Sequence, residues 1–445
     1  MPSRTSSTPR VAVLADSDTR WKWGALTAYR IHPEARLDGY LLRGRATPTV
    51  RQLHEVGARA ETLREIRGID FLDLMRADAG SAEPYDTVVL ALVGGGVQAM
   101  LHGLARAWED TERRPAVVTG YVGVVYEKLA DGLLLRHGAD VVLANSRHDA
   151  DRFRAVYRGV GADDSAVTEC ALPFLGGDRH TGDHDPYTVV FAAQPSVPDN
   201  RADRAYLLRR AVEHARRHPG REVLIKLRSK PGEHTTHIEE LPYQKLAAKA
   251  PGGLPANCRL VYGNMGEVLD RTDLMVTVSS TAALESLHRG VPTAVLTDLG
   301  IREVLGNHHF LGSGCLASWD DLDAGHRPEP DPEWLARQGV CADGSYDTAF
   351  DAARAKVAAL HAAGPLPPLA PYYTARTAPG YLPGILARHG LDAAGKPVAG
   401  YAPEGREAPG GLRKVARDAV REAARGAYRH GVQRVAPAIR RWGQL

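Results

Sequence analysis

Short apolar, β-rich runs alternate with helical patterns along most of this 445-residue chain, and no other feature restricts its fold so tightly. Arg10–Ala15 (RVAVLA) is apolar almost throughout, the mark of a strand buried on both faces. Asp38–Leu42 is a weaker run, and Asp86–Leu92, Pro115–Thr119 and Asp140–Ala144 are stronger ones. Between them, Gly96–Trp108, Gly123–His137 and Arg147–Tyr157 carry apolar residues at helical spacing. The polar, Gly-rich stretch Gly176–Pro186 breaks the pattern. It restarts with Tyr187–Ala192, a helix over Arg201–Arg217, and the runs Glu222–Leu227, Arg259–Tyr262, Leu274–Val278 and Thr293–Leu296. Such alternation predicts right-handed βαβ units and parallel, doubly wound sheets. The restart predicts two Rossmann-like domains, over 10–180 and 186–362. Ligands of such sheets bind outside the carboxyl ends of the strands, so two of them define one interdomain cleft.

The length suits two domains and a tail. Lys+Arg of 56 against Asp+Glu of 53 leaves a formal charge of +3, which gives no drive toward nucleic acid. The four cysteines lie far apart with no CxxC pair, so reduced thiols are expected rather than disulfide or zinc frameworks. Residues 1–9 read as a disordered start without the apolar core of a secretory signal. No apolar run approaches the roughly 20 residues needed to cross a bilayer, and a cytoplasmic protein is expected. Residues 363–411 are rich in Pro, Gly and Ala and read as an irregular connector. Residues 412–445 form a basic, helix-patterned segment that either lies on an anionic membrane surface, making the protein peripheral at the inner face, or packs across the two domains.

The most informative segment is Leu274–Leu296. A buried strand ends in Ser279-Ser280-Thr281 and a helix begins at once, so hydroxyls and free backbone N–H groups gather at an anion-binding helix start. Glu285, four residues after Thr281, shares that helix face and is placed to accept both hydroxyls of a ribose. Gly290-Val291-Pro292 then turns the chain into the next strand. A capped helix with a solvated Glu285 is the plainer alternative. A second cluster, Lys226, Arg228 and Lys230, follows a predicted strand directly and suits a diphosphate, unless it is only a solvated basic turn.

On the first domain, Asp16 and Asp18 follow the first strand, and either is a candidate base for an acceptor hydroxyl. Trp21, with Lys22 beside it, is placed to stack on a sugar; alternatively Asp18 caps a helix and the tryptophans are core. Gly94, Gly95 and Gly96 allow close backbone approach to an acceptor, or make a plain turn. Tyr121 follows another strand on the acceptor side.

Together these segments resemble the donor-binding half of GT-B glycosyltransferases. More distantly, the likeness extends to capsule sialyltransferases, CDP-glycerol glycerophosphotransferases and nucleotide-sugar 2-epimerases, which share a strand-Ser/Thr-helix-Glu pattern ending in Gly-Val/Ile-Pro. The opening Asp16-Ser17-Asp18-Thr19-Arg20-Trp21-Lys22-Trp23 is similar to that of an actinobacterial-type set of glycosyltransferase-like proteins. The resemblance covers about residues 10–360. It implies a GT-B-like α/β architecture: two doubly wound parallel-sheet domains facing across a cleft, plus a C-terminal helical extension. The first domain would take the acceptor and the second a nucleotide-sugar, with Gly263 and Asn264 at the nucleobase.

The Lys226 loop occupies the place of a K-x-H-P element but has no His before Pro231, so phosphate binding would fall to the cations. No metal and no cofactor are implied, the nucleotide-sugar being a substrate. The expected activity is transfer of a sugar to a cell-surface or secreted glycan, or to a related small molecule, in polysaccharide biosynthesis. A CDP-alditol-type phosphotransferase or a 2-epimerase on the same fold is the alternative, and a non-catalytic nucleotide-binding scaffold is an alternative of another class.

Overall fold

The computed structural model describes residues 8–398, apart from 45, 125–128, 231–232, 234–240 and 341–344. His234, Cys341 and the basic segment 412–445 therefore lie outside the described residues. The first sheet contains β1 (Arg10–Ala15), β2 (Arg36–Leu42), β3 (Thr62–Ile66), β4 (Thr87–Ala91), β5 (Ala116–Gly120), β6 (Val141–Ala144) and β7 (Val167–Glu169). Their spatial order is β3-β2-β1-β4-β5-β6-β7, every pair parallel. The second contains β8 (Tyr187–Ala192), β9 (Arg221–Lys226), β10 (Cys258–Val261), β11 (Leu274–Thr277), β12 (Thr293–Leu296) and β13 (Leu316–Ala317). It is parallel too, in the order β10-β9-β8-β11-β12-β13. The architecture is thus GT-B-like: two doubly wound parallel-sheet α/β domains.

The apolar runs make strands because both faces are covered. Along β1, Ala12 and Leu14 join one buried cluster while Val11, Val13 and Ala15 join the cluster on the other side. In β8, Val189 and Phe191 divide from Val190 and Ala192 in the same way. The strands absent from the sequence reading are edge or end strands: β3 (TLREI) is largely exposed and charged, and β7 and β13 are 3 and 2 residues long. None carries enough apolar residues to show a period.

The helices of the first half are α1 (Asp18–Ile31), α2 (Val50–Val56), α3 (Gly68–Ala79), α4 (Gly94–Ala107), α5 (Leu129–Leu134) and α6 (Arg147–Gly159). The second half adds α7 (Arg201–Arg217), α8 (Tyr243–Ala247), α9 (Met265–Leu269), α10 (Ala282–His288), α11 (Trp319–Asp323) and α12 (Pro332–Arg337). The chain then returns to the first sheet. α13 (Asp351–Ala362) packs against α1, and Arg354 Nε donates to the Arg30 carbonyl at 2.8 Å. The last helix of the 186–362 segment thus packs on the first sheet.

The Pro-rich segment beyond α13 is docked rather than free. Arg114 donates to the Pro367 carbonyl at 2.9 and 2.6 Å, and the His102 ring lies 2.9 Å from the Tyr373 carbonyl. α14 (Leu382–Ala387) lies on α4. No described helix is long and apolar enough to cross a membrane.

Candidate functional site

Each sheet has its strand-order reversal at its centre, between β1 and β4 in the first and between β8 and β11 in the second. Crevices outside the carboxyl ends of strands open at such switch points. The carboxyl ends of β1, β4 and β11, and of β9 beside β8, carry most of the candidate residues.

At the first switch point the acids are engaged. Asp16 Oδ2 accepts the Val93 N–H at 2.9 Å, tying the β1 loop to the start of α4, and Oδ1 pairs with Arg20 at 3.0 Å. Ser17, not Asp18, caps α1, its Oγ accepting the Arg20 N–H at 3.4 Å. Asp18 sits in the first helical turn, nearly buried. Its Oδ1 accepts the Thr19 N–H at 2.7 Å and the Arg228 guanidinium at 2.7 Å. Burial opposes ionisation, but Arg228 and the Thr19 N–H hold this carboxyl below the ordinary aspartate range.

Several acceptor-side expectations change. Trp21 is 0% exposed and lies in the core beneath β2, where a Cβ on Gly39 would stand 2.6 Å from its ring. It is therefore closed to stacking on a sugar. Trp23 is equally buried, over Gly120. The glycines 94–96 are the first turn of α4 rather than an open loop, and a Cβ on Gly94 would meet Leu135 at 2.9 Å. Tyr121 turns its hydroxyl inward to Gly132, beneath the Arg136 guanidinium at 3.9 Å from its ring. Arg136, missed in the sequence because it falls on an expected helix, straps the strand ends by donating to the Gly120 carbonyl at 2.9 Å and the Leu92 carbonyl at 3.4 Å. Lys22 reaches out of the first domain to Glu285, 3.5 Å away, with its ammonium over the Phe174 ring.

On the second domain the cations follow β9, next to β8. Lys226 is 9% exposed, and its Nζ donates to the Leu227 carbonyl at 2.9 Å. Burial pushes its pKa down to about 8, against the opposing pull of Glu55 and Glu285. Arg228 reaches both Asp18 and the Thr19 hydroxyl across the cleft. Lys230 lies over the Tyr262 ring, while Glu233 accepts its backbone N–H at 2.8 Å and pairs with Arg51 of α2.

After β11, the serines hold the loop together. Ser279 takes the Gln194 side-chain oxygen on its N–H at 2.9 Å and donates its hydroxyl to the Leu305 carbonyl at 2.6 Å. The Ser280 hydroxyl accepts the Ala282 N–H at 3.2 Å. Thr281 makes no side-chain cap; its Oγ1 faces Gly123, where a Cβ would stand only 2.7 Å away. α10 spans 7 residues, so its dipole is modest and any anion must lean on the cations. Glu285 is 9% exposed on the inner face of α10. Asn264 caps α9 through the Gly266 N–H at 2.7 Å, and its Nδ2 donates to the Glu55 carbonyl of α2 at 3.0 Å. Gly263 beside it adopts φ 102°, which favours glycine.

With this geometry in place, comparison with known proteins is informative. Residues 11–360 match the family described as "Putative glycosyltransferase (DUF6716)". The chain belongs to this family. One solved structure with a TM-score of 0.50 agrees on fold, and two others are similar at lower scores. A UDP-N-acetylglucosamine 2-epimerase is 12% identical with a TM-score of 0.50, over 80% of this chain and 96% of that one. The enzyme of Neisseria meningitidis bound to UDP-GlcNAc is 10% identical with a TM-score of 0.49, over 78% and 100%. The glycotransferase of kitacinnamycin is 16% identical with a TM-score of 0.42, over 80% and 96%. No curated protein matches the sequence.

Proposed function

We propose that the protein transfers a sugar from a nucleoside-diphosphate sugar to a hydroxyl of a glycan or small-molecule acceptor. The observation that carries this reading is the pairing of two loops of the second sheet. Lys226, Arg228 and Lys230 follow β9, and Thr281 with Glu285 follows β11, the two strands flanking β8 at the switch point. The cations would take the diphosphate, Arg228 in bidentate fashion, and Glu285 the ribose hydroxyls. The nucleobase would lie toward Gly263 and Asn264. Charge developing on the departing diphosphate would be met by preorganised cations, the largest expected catalytic term. Because those groups supply the neutralisation, transfer is expected to persist in EDTA.

The reading is tested by thermal shift with UDP-, CDP-, GDP- and CMP-sugars. One nucleotide is expected to stabilise the chain, and Glu285→Ala to lose that stabilisation. Equal melting with and without every nucleotide would sink the donor site. Product analysis separates the reactions: a glycoside supports transfer, whereas an epimerised nucleotide-sugar or a phosphodiester product assigns the fold's other chemistries.

A further inference from the structure

The docked segment after α13 brings one unused side chain to the acceptor side. α14 lies on the first turn of α4, where a Cβ on Gly95 would stand 3.6 Å from Ile385. Just beyond α14, the His389 N–H bonds the Leu386 carbonyl at 2.9 Å and fixes the residue over the same turn. A Cβ on Gly96 would lie 3.7 Å from His389 Cε1, and one on Gly68, the first residue of α3, 3.7 Å from the His389 carbonyl oxygen. Gly96 and Gly68 follow the carboxyl ends of β4 and β3, so His389 overhangs the carboxyl edge of the first sheet at its switch point.

Two further facts make the ring chemically apt. It is half-buried, and neither ring nitrogen makes a hydrogen bond among the described residues. Burial holds its pKa below the ordinary histidine value, opposed by the field of Asp16 and aided by that of Arg388, so it is unprotonated at neutral pH. Both oxygens of Asp16 are already engaged, one accepting the Val93 N–H and the other the Arg20 guanidinium. The first N–H groups of α4 have no intrahelical acceptors and face the same crevice edge, where they can hold a hydroxyl oxygen.

We propose that His389 is the general base of the transfer, acting on an acceptor alcohol or sugar hydroxyl held at the start of α4. The assignment rests on the nucleotide-sugar reading above. The hydroxyl proton passes to an unprotonated ring nitrogen of His389. The acceptor oxygen forms its bond to the anomeric carbon of the donor. The bond from that carbon to the phosphate oxygen breaks, and the nucleoside diphosphate leaves with the electron pair. Asp16 acts through His389, as a positioning residue that stabilises the protonated ring.

The test uses the full chain and the nucleotide-sugar giving the largest thermal shift. Nucleoside diphosphate release is followed from pH 5 to 9 with water, methyl glucosides and benzyl alcohol as acceptors. His389→Gln is expected to lower kcat by about 10²–10⁴-fold, to abolish the rise of rate with pH on the acid side, and to leave nucleotide affinity within about twofold. Imidazole is expected to restore part of the rate of His389→Ala. A His389→Gln variant that keeps kcat and the acid limb overturns the assignment. So does a wild-type chain that binds the nucleotide-sugar and releases nothing with any of these acceptors. Absence of any nucleotide shift in the wild type removes the donor reading, and this assignment with it.

Discussion

The carboxyl edges of the two sheets use their polar residues differently. On the first, Asp16 braces the start of α4, Arg136 straps β4 to β5, and Trp21 and Trp23 are sealed into the core. These partners belong to the same domain, while Asp18 and Lys22 are the residues of this edge that meet the second domain. On the second, Arg228 is satisfied by Asp18, Glu285 by Lys22 and Asn264 by the Glu55 carbonyl, so the partners come from across the cleft. An edge braced within its own domain keeps its shape whether or not a ligand is present. An edge whose charges are met by the other domain can exchange them for a ligand, at the cost of contacts that hold the cleft shut. The difference points to rigidity at the first edge and charge exchange at the second.

The sharpest way to break that comparison is Trp21→Ala. If Trp21 is core, its loss should destabilise the fold by about 3–5 kcal/mol in denaturant unfolding, through the cavity beneath Gly39. A variant that unfolds like the wild type but loses acceptor affinity would return Trp21 to the acceptor site. Next come Arg228→Ala and Lys226→Met on the other edge. Each removes a charge-assisted contact worth about 1.5–3 kcal/mol and should weaken nucleotide-sugar binding roughly ten- to hundredfold by calorimetry. Stability should change far less than in the tryptophan variant. Unchanged affinity in both variants would remove the diphosphate from this loop.

How much of this was legible in the sequence follows from the same contrast. Central strands show themselves because they are buried on both faces, so β1, β4, β8 and β11 stand out as apolar runs. The cations after β9 and the Ser-Thr turn after β11 are likewise readable, because position at a strand end follows from topology. Partners across the cleft are not readable: nothing local to Arg228 points to Asp18, 210 residues away. Trp21 misleads for a related reason. Only the neighbouring strand, with a glycine at position 39, makes room for its ring, and that neighbour is set by sheet register. His389 is hidden by composition, since a Pro- and Gly-rich segment looks like a connector until it is seen docked on α4.

A smaller effect sharpens the donor side through pH. Lys226 has its pKa lowered to about 8 from the ordinary lysine value by burial. In the unliganded fold it therefore loses its proton above about pH 8, and nucleotide affinity should fall as pH rises from 7 to 9. The unfolded chain still holds that proton up to its ordinary value. Between the two values the unfolded state binds more protons, so this lysine's contribution to stability rises with pH while binding falls. Both slopes should vanish in Lys226→Met, measured as calorimetric affinity and as melting temperature across the same pH series. A binding slope that survives in the variant would place the titrating group elsewhere.

The smallest expected effect tests whether the cross-cleft pairs are exchangeable or structural. Lys22 and Glu285 are 3.5 Å apart with side chains 20% and 11% exposed, a long and partly wet contact. Such pairs contribute about 0.2–1 kcal/mol and are screened by salt. Lys22→Met should therefore leave stability within about 1 kcal/mol and alter nucleotide affinity no more than about threefold, with the difference fading at high salt. Glu285→Gln should cost more, because the proposed function gives its carboxylate the ribose hydroxyls and Lys22 only a supporting contact. Equal losses in the two variants would mean that the pair works as one structural clamp, and that the second edge is as fixed as the first edge opposite.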